Sequence, residues 1–356
     1  MITTIFSFVV VLGILIFFHE LGHFLAARAC GVGVEKFSLG FGPRLFGKTA
    51  GITDYRISAI PLGGYVKMVG EEPDAKIDPA DIPLSFTHKS VFRRMLIVAA
   101  GPVFNLFLAV IIFFGIFQVS GIPVSKALIG EVREGTPAYQ AGLQKGDTIL
   151  AIDEIKIDTW EDMSGIISES RGRELALSVQ RGDSVFDVNI IPRLTTTKNI
   201  FGEDIERHVI GITSSHEVVF KDLNPFQALS ASLVQTYDIA KLTIVSIVKM
   251  IQGKISAKEN LGGPIMIAQM SGKIAKEGPG QLAFWIALLS VSLGVLNFLP
   301  IPVLDGGHLV FFFIELLIGH PVNTKMREIA QQVGIFVLIL LMIFVFYNDI
   351  ARVFFS

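Results

Sequence analysis

The run His19-Glu20-Leu21-Gly22-His23 sets two imidazoles four residues apart, with a carboxylate beside the first. On a helix that spacing puts both rings on one face, one turn apart. Rings so placed suit two ligands of one tetrahedral zinc, and Glu20 is positioned to take a proton from an activated water. Catalytic zinc typically takes three protein ligands and keeps a fourth position open, so a third ligand must come from elsewhere in the chain. Short motifs of this kind also recur by chance, with the histidines satisfied by local hydrogen bonds. The surroundings weigh against that reading. The motif lies in an apolar run from Met1 to Ala27, and uncompensated polar groups inside a membrane are expensive.

The third ligand is expected from Asn297-Phe298-Leu299-Pro300-Ile301-Pro302-Val303-Leu304-Asp305-Gly306-Gly307-His308. Two prolines and two glycines interrupt a helix there. Broken helices persist at membrane depth only where protein or a watery cavity satisfies the freed backbone. Asp305 is the best candidate, and His308 is a weaker one. Asn297 is read as a group that holds substrate backbone or orients the transition-state oxygen. Its plainer alternative is an interhelical hydrogen bond.

The elements that must carry these residues follow from composition. The chain has 356 residues, 51% hydrophobic and 17% charged, whereas soluble domains carry about 25% charged residues. Much of it therefore belongs in lipid. A net charge of −2 gives no reason to expect nucleic acid as a partner, and Cys30, the one cysteine, excludes a disulfide framework or a CxxC metal site. The N-terminal run lacks a basic leader and contains His19 and Glu20, so it reads as a retained helix and not a signal peptide.

Four spans are expected, at 1–28, 95–120, 282–308 and 333–352. Residues 29–94 form a polar loop with a membrane-associated β-hairpin, signalled by alternation around a Pro/Gly break in Tyr55–Met68, and Glu71–Pro83 reads as a loop. Short β-type runs and a helical stretch near Trp160–Ser170 mark one small α+β domain at 121–194. Residues 195–281 are expected as linker and amphipathic helices, and 309–332 as a loop. The fold class is thus a polytopic α-helical membrane protein with a β-hairpin and one inserted β-rich domain. Arg28, Lys36, Arg44, Lys89, Arg93 and Arg94 flank the first loop. The positive-inside rule puts that loop in the cytoplasm, with the N-terminus and the inserted domain outside.

Together, His19–His23, the Asn297–Gly306 run, Gly63-Gly64-Tyr65-Val66 with Met68, and Arg93–Asn105 resemble the site-2 proteases, the intramembrane zinc metalloproteases, in their bacterial RseP-type branch. The resemblance covers nearly the whole chain. It implies His19, His23 and Asp305 as ligands of one zinc ion per chain and Glu20 as the catalytic glutamate. It further suggests that the strand edge at Gly63, Gly64, Tyr65 and Val66, with Asn297, holds an unwound substrate. Ile129–Val132, Gly135–Ala138 and Ala141–Ile149 resemble a PDZ domain of the permuted bacterial kind, in a single copy. Such domains bind extended peptides by strand addition; exclusion by bulk alone is the alternative.

The resemblance implies regulated intramembrane proteolysis at a bacterial inner membrane, with the site near the cytoplasmic side. Substrates would be single-pass membrane proteins trimmed beforehand by another protease, such as an anti-sigma factor, or remnant signal peptides. An inactive PDZ-bearing scaffold and a zinc transporter are the rivals.

Depth bears on topology. Glu20 lies about 17 residues into the first span and Asp305 about 22 into the third, or ~26 and ~33 Å from their starting faces. One metal can join them only if these two spans run in the same direction. The amphipathic segment Asn224–Ile251 is therefore expected to lie outside the hydrocarbon core or to re-enter without crossing.

Overall fold

The computed structural model describes residues 2–72, 77–215 and 217–355, in two compact units. Residues 1–116 and 226–356 make the first, and residues 117–225 the second. The expected loop at Glu71–Pro83 lies partly outside the described residues; its last residues enter a short 3-10 turn, Pro79–Leu84.

Helix α1, Ile2–Ala29, carries the HExxH run. Strands β1, Val34–Ala50, and β2, Thr53–Met68, form a long irregular hairpin. Lys36–Leu39 lie between two stretches of β2, with Asp54–Ile57 on one side and Gly64–Lys67 on the other. The stretch Gly64–Met68 is thus an edge. Phe41, Leu45, Phe46, Ile52, Ile57 and Ile60 leave the outer part of the hairpin apolar and exposed. Helix α2, Val91–Ser120, begins before Arg93 and Arg94, which sit in its first turn and not ahead of it.

Gly22 is what lets α1 and α2 touch. A Cβ there would stand 2.3 Å from the carbonyl oxygen of Ala100. Further along, Val11 and Leu15 pack with Leu108, so the two helices are antiparallel.

The second unit begins with β3, Ile122–Ser125, and β4, Ile129–Val132, followed by the single turn α3, Pro137–Gln140. Strands β5, Thr148–Ile152, and β6, Ile155–Lys156, precede α4, Trp160–Glu169, which starts in a Thr159–Asp162 capping box. Then come β7, Leu175–Arg181, β8, Ser184–Ile190, β9, Arg193–Lys198, β10, Asp204–Val209, β11, Ile212–Ser214, and β12, Val218–Lys221. One sheet runs β6-β5-β7-β8. Its alternating Leu175, Leu177 and Val179 point into a core with Ile149, Ile152 and Met163. Buried Asp147 takes two bonds from Arg181, at 2.7 and 2.8 Å. Burial opposes its charge, but Arg181 and the Gln144 amide outweigh that and hold the carboxyl below its ordinary range.

This unit is larger than the sequence pattern suggests. Residues 195–221, expected as linker, supply β11 as the partner of β4 and β12 as the partner of β3. The strand edges left by the opening residues are completed only when the chain returns, which no local signal reports.

The first unit then resumes with α5, Pro225–Ile251, α6, Ala257–Asn260, α7, Pro264–Glu277, α8, Pro279–Asn297, α9, Asp305–Ile318, and α10, Thr324–Phe355. Among the described residues, five helices are long and apolar enough to span a bilayer: α1, α2, α5, α8 and α10. The expected third span at 282–308 is corrected: α8 ends at Asn297, and Asp305 opens a separate helix. Pro300 and Pro302 cannot continue the hydrogen-bond ladder. The straight-helix depth of Asp305 therefore does not apply. Residues 309–318, expected as loop, are the body of α9, and the last helix starts at Thr324 instead of near 333.

Ser290 Oγ donates to the Asn105 carbonyl at 2.7 Å, Gly294 lies against the Pro102 carbonyl, and Phe284 meets Phe113 edge-on. Helix α8 is therefore antiparallel to α2 and parallel to α1. The beginnings of both gather on α7, where a Cβ on Gly272 would meet Thr4 and where Trp285 Nε1 donates to Ser271. The far end of α10 joins them: Asp349 accepts from the backbone of Gly263, Ile265 and Met266 at the start of α7.

Helix α9 is tied to α2 by a buried ion pair, Arg94 Nη2 to Glu315 Oε1 at 2.6 Å. The guanidinium carbon also lies 4.9 Å from the centre of the Phe312 ring. Removing one partner of such a pair leaves an uncompensated buried charge, at about 3–5 kcal/mol, whereas apolar replacement of both is often neutral. Glu315→Leu should therefore unfold markedly earlier than wild type in detergent, and Arg94→Met/Glu315→Leu should recover most of the loss. Thermal unfolding of the three proteins checks this; equal midpoints for the single and double variants would contradict it.

Candidate metal centre

Helix α1 presents His19 and His23 on one face with ring centroids 4.8 Å apart. Asp305 faces them from the first turn of α9. Its Oδ2 lies 3.2 Å from His19 Nε2 and its Oδ1 3.6 Å from His23 Nε2, and the two Nε2 atoms are 3.3 Å apart. Zinc bonds of about 2.0–2.1 Å in tetrahedral geometry require ligand atoms ~3.3 Å from one another. The observed separations fit a zinc ion, and these three residues are the metal-type cluster found among the described residues. His308 lines the same cavity but is not a member of that cluster.

The supports are specific. His23 Nδ1 donates to the Ile97 carbonyl at 2.9 Å, which leaves Nε2 for a metal. Gly101 makes the room: a Cβ there would stand 2.3 Å from His23 Nε2. The Asn105 amide nitrogen lies 3.3 Å from His19 Nδ1, while its Oδ1 is buried without a partner. An imidazole that binds metal through Nε2 carries its proton on Nδ1. The metal-bound form therefore calls for the amide rotated by a half turn, which also gives Oδ1 its partner. On α9, Gly306 and Gly307 let the Phe298–Leu304 segment fold back: a Cβ on either would stand 2.3 Å from a carbonyl oxygen of Leu299 or Ile301. The helix N-terminus favours the carboxylate at Asp305.

Glu20 is buried, and Gly64 of β2 abuts it; a Cβ at Gly64 would meet Glu20 Cγ at 2.9 Å. A cavity of about 690 Å³ brings His19, Glu20, His23 and Asp305 together with Gly64, Tyr65 and Val66. Tyr65 stacks on Phe41, and Gly63, at φ +100°, turns the chain beneath that ring. Gly63 and Asn297 are not among the cavity's lining residues; Asn297 closes α8. Sequence reasoning missed Asn105 and Gly101 as supports of the histidines, although their i, i+4 spacing on α2 was available. It also missed Glu71, Arg327 and Glu328, which line the cavity from separate segments.

Two histidines, a carboxylate and a neighbouring glutamate thus meet among helices long and apolar enough to span a bilayer, an arrangement that could hold a metal ion. Residues 7–341 match the model of peptidase family M50. A protein of Agrobacterium fabrum, provisionally designated a zinc metalloprotease, is 36% identical over 98% of this chain and 95% of its own. The zinc metalloprotease RasP of Oceanobacillus iheyensis is 30% identical over 99% of this chain and all of its own length. A solved PDZ domain of an SdrC-like protein from Listeria monocytogenes aligns with 25% of this chain and 87% of its own, at 22% identity and a TM-score of 0.20. The chain belongs to peptidase family M50, the site-2 protease family.

Partners that orient a metal-binding histidine are typically worth about 10–100-fold in metal affinity. Asn105→Ala should weaken zinc binding by that factor while the helices stay folded. Competition with a chromogenic chelator, alongside circular dichroism, measures both; unchanged affinity would remove Asn105 from the site.

Proposed function

We propose that this protein hydrolyses peptide bonds within transmembrane segments of single-pass membrane proteins, with one zinc ion held by His19, His23 and Asp305. The observation that carries the reading is the placement of Glu20 and the three ligand groups on one cavity beside the free edge of β2. Zinc bound there supplies Lewis acidity that polarises a carbonyl and makes water a nucleophile at neutral pH. Glu20, buried beside the ligands, takes the proton from the attacking water and delivers it to the leaving amine nitrogen. A helical substrate hides its carbonyls in its own hydrogen bonds and must unwind to react. The edge at Gly64, Tyr65 and Val66 offers it backbone partners in an extended form, and the exposed apolar outer hairpin suits contact with lipid. Asn297 is assigned a lesser role at the end of α8, and Gly63 shapes the edge without facing the cavity.

The substrates are proposed to be membrane-anchored proteins already trimmed by another protease, such as an anti-sigma factor, or remnant signal peptides. The setting is a bacterial inner membrane, with the N-terminus and the 117–225 unit extracytoplasmic and the site near the cytoplasmic side. The unit at 117–225 is read as a single PDZ domain that restricts access to the site. Parallel α1 and α8 support this topology, because an odd number of crossings must separate them. Helix α2 supplies one. Helix α7, with 14 residues, reaches only about 21 Å and cannot cross. Helix α5 therefore lies along or within the outer leaflet without crossing, despite its length.

Glu20→Gln should lower cleavage of a transmembrane model substrate by the purified protein about 10²–10⁴-fold while zinc content stays at one per chain. Cleavage equal to wild type would end the protease reading and favour a scaffold. A cysteine at position 260 should react with a membrane-impermeant maleimide added from outside intact spheroplasts. Protection until lysis would place α5 across the membrane.

A further inference from the structure

The cavity that holds Glu20 continues along β2 to Met68 and Glu71, which the hydrolytic reading leaves unused. Val69 N donates to the carbonyl of Gly33, just ahead of β1, at 2.9 Å. Backbone groups of successive strand residues face opposite sides. Those of Met68 therefore face the free edge, as do those of Val66 and Gly64. The Met68 amide is already taken: it donates to Glu71 Oε2 at 3.1 Å. Gly70, at φ +62°, makes the turn that brings Glu71 back onto the strand, and Phe86 N holds that turn through the Val69 carbonyl at 2.8 Å.

The carboxylate thus stands at a fixed place on the path of an added strand. Gly64 abuts Glu20, and Met68 lies about four residues further on, or ~13 Å at the rise of a strand. There an added strand would offer a carbonyl to the Met68 amide. It meets an acceptor instead, so backbone pairing ends at Val66. What the carboxylate can take is a donor, and a cation most strongly. Glu71 belongs to no ion pair among the described residues; its neighbour Lys67 reaches Glu35 and Glu72 instead, at 3.5 and 3.9 Å.

We propose that Glu71 is a specificity-determining residue: it takes a lysine or arginine of the substrate about four residues from the scissile bond, and so sets which bond lies over the zinc ligands. Pairing with β2 cannot set this alone, because a strand slid by two residues makes the same backbone bonds and keeps its faces. Membrane proteins carry lysine and arginine on the cytoplasmic flank of their spans, the side on which the site is proposed to lie. The inference rests on the protease reading above.

The test uses the zinc-loaded full chain in neutral-lipid nanodiscs and transmembrane model substrates of uniform Leu/Ala sequence. Each carries a single lysine on the cytoplasmic flank, moved along the chain in two-residue steps, and mass spectrometry locates the cut. In wild type the cut should move with the lysine, two residues per step. Glu71→Gln keeps an acceptor for the Met68 amide but loses the charge, so its cut should not follow the lysine. Wild type should also cleave the lysine substrate about three- to five-fold more efficiently, in kcat/KM, than its glutamate counterpart at low salt. That preference should be absent in Glu71→Gln and should weaken as salt shortens the screening length to about 8 Å at 0.15 M. A cut that follows the lysine equally in Glu71→Gln overturns the proposal and assigns the shift to the depth of the substrate helix in the bilayer. A wild-type cut that ignores the lysine sinks this inference alone, whereas wild-type cleavage no better than Glu20→Gln sinks the protease reading and this inference with it.

Discussion

A zinc ion held by His19, His23 and Asp305 would require three ligand atoms from distant parts of the chain to stand within a few tenths of an ångström of a tetrahedron, in a medium that penalises every unpaired polar group. Most of the packing of the first unit can be read as a consequence. Gly22 brings α1 onto α2 at the level of the histidines, Gly294 brings α8 onto the same turn of α2, and Gly101 clears the space into which His23 Nε2 projects. Larger residues at these positions would move the helices apart by more than a metal site tolerates. The small residues therefore set ligand distances as well as helix separation, through backbone approach of the kind common between membrane helices.

The same constraint explains why the helix carrying the site's last ligand is broken. A continuous α8 would bury the 298–304 backbone in its own ladder and leave no helix start to face the histidines. The break puts Asp305 at an N-terminus, where the helix dipole favours its negative charge. Short local bonds, Ile301 N to the Leu299 carbonyl and Leu304 N to the Ile301 carbonyl, satisfy part of the freed backbone. The fold-back that makes these bonds is what admits only glycine at 306 and 307.

The chemistry was more legible in the sequence than the architecture around it. His19 and His23 announce themselves by spacing, and Asp305 by its place in a Pro/Gly break, because these signals are local. Apolar runs marked α1, α2, α8 and the later part of α10, but the extent of each helix was misjudged where polar first turns, such as Arg93–Arg94, join an apolar body. Helix α9 was hidden because its apolar pattern continues that of the preceding run. Strands β9 to β12 were hidden for different reasons: exposed residues in Arg193–Lys198 carry little alternation, so the β9–β10 hairpin has a weak signal, and β11 and β12 pair with strands far back in the chain. The Arg94–Glu315 pair, 221 residues apart, has no sequence signature.

The two halves of the metal site differ in how firmly they are held. His19 and His23 share one helix of 28 residues, and each has its second ring nitrogen engaged by α2. Their mutual distance is fixed by helical geometry. Asp305 stands on a helix of 14 residues held by a two-glycine fold-back, by Phe312 buried against Phe86, and by one buried ion pair. A shift of α9 changes only the Asp305 distances. The carboxylate is thus the group less tightly tied to α1 and α2, and the Arg94–Glu315 pair is one of the contacts that position its helix. This accounts for the presence of a costly buried pair in an otherwise apolar interface. Apolar side chains would hold α9 against α2 at similar free energy, but they would permit it to slide, whereas a single hydrogen-bonded pair at 2.6 Å fixes its register.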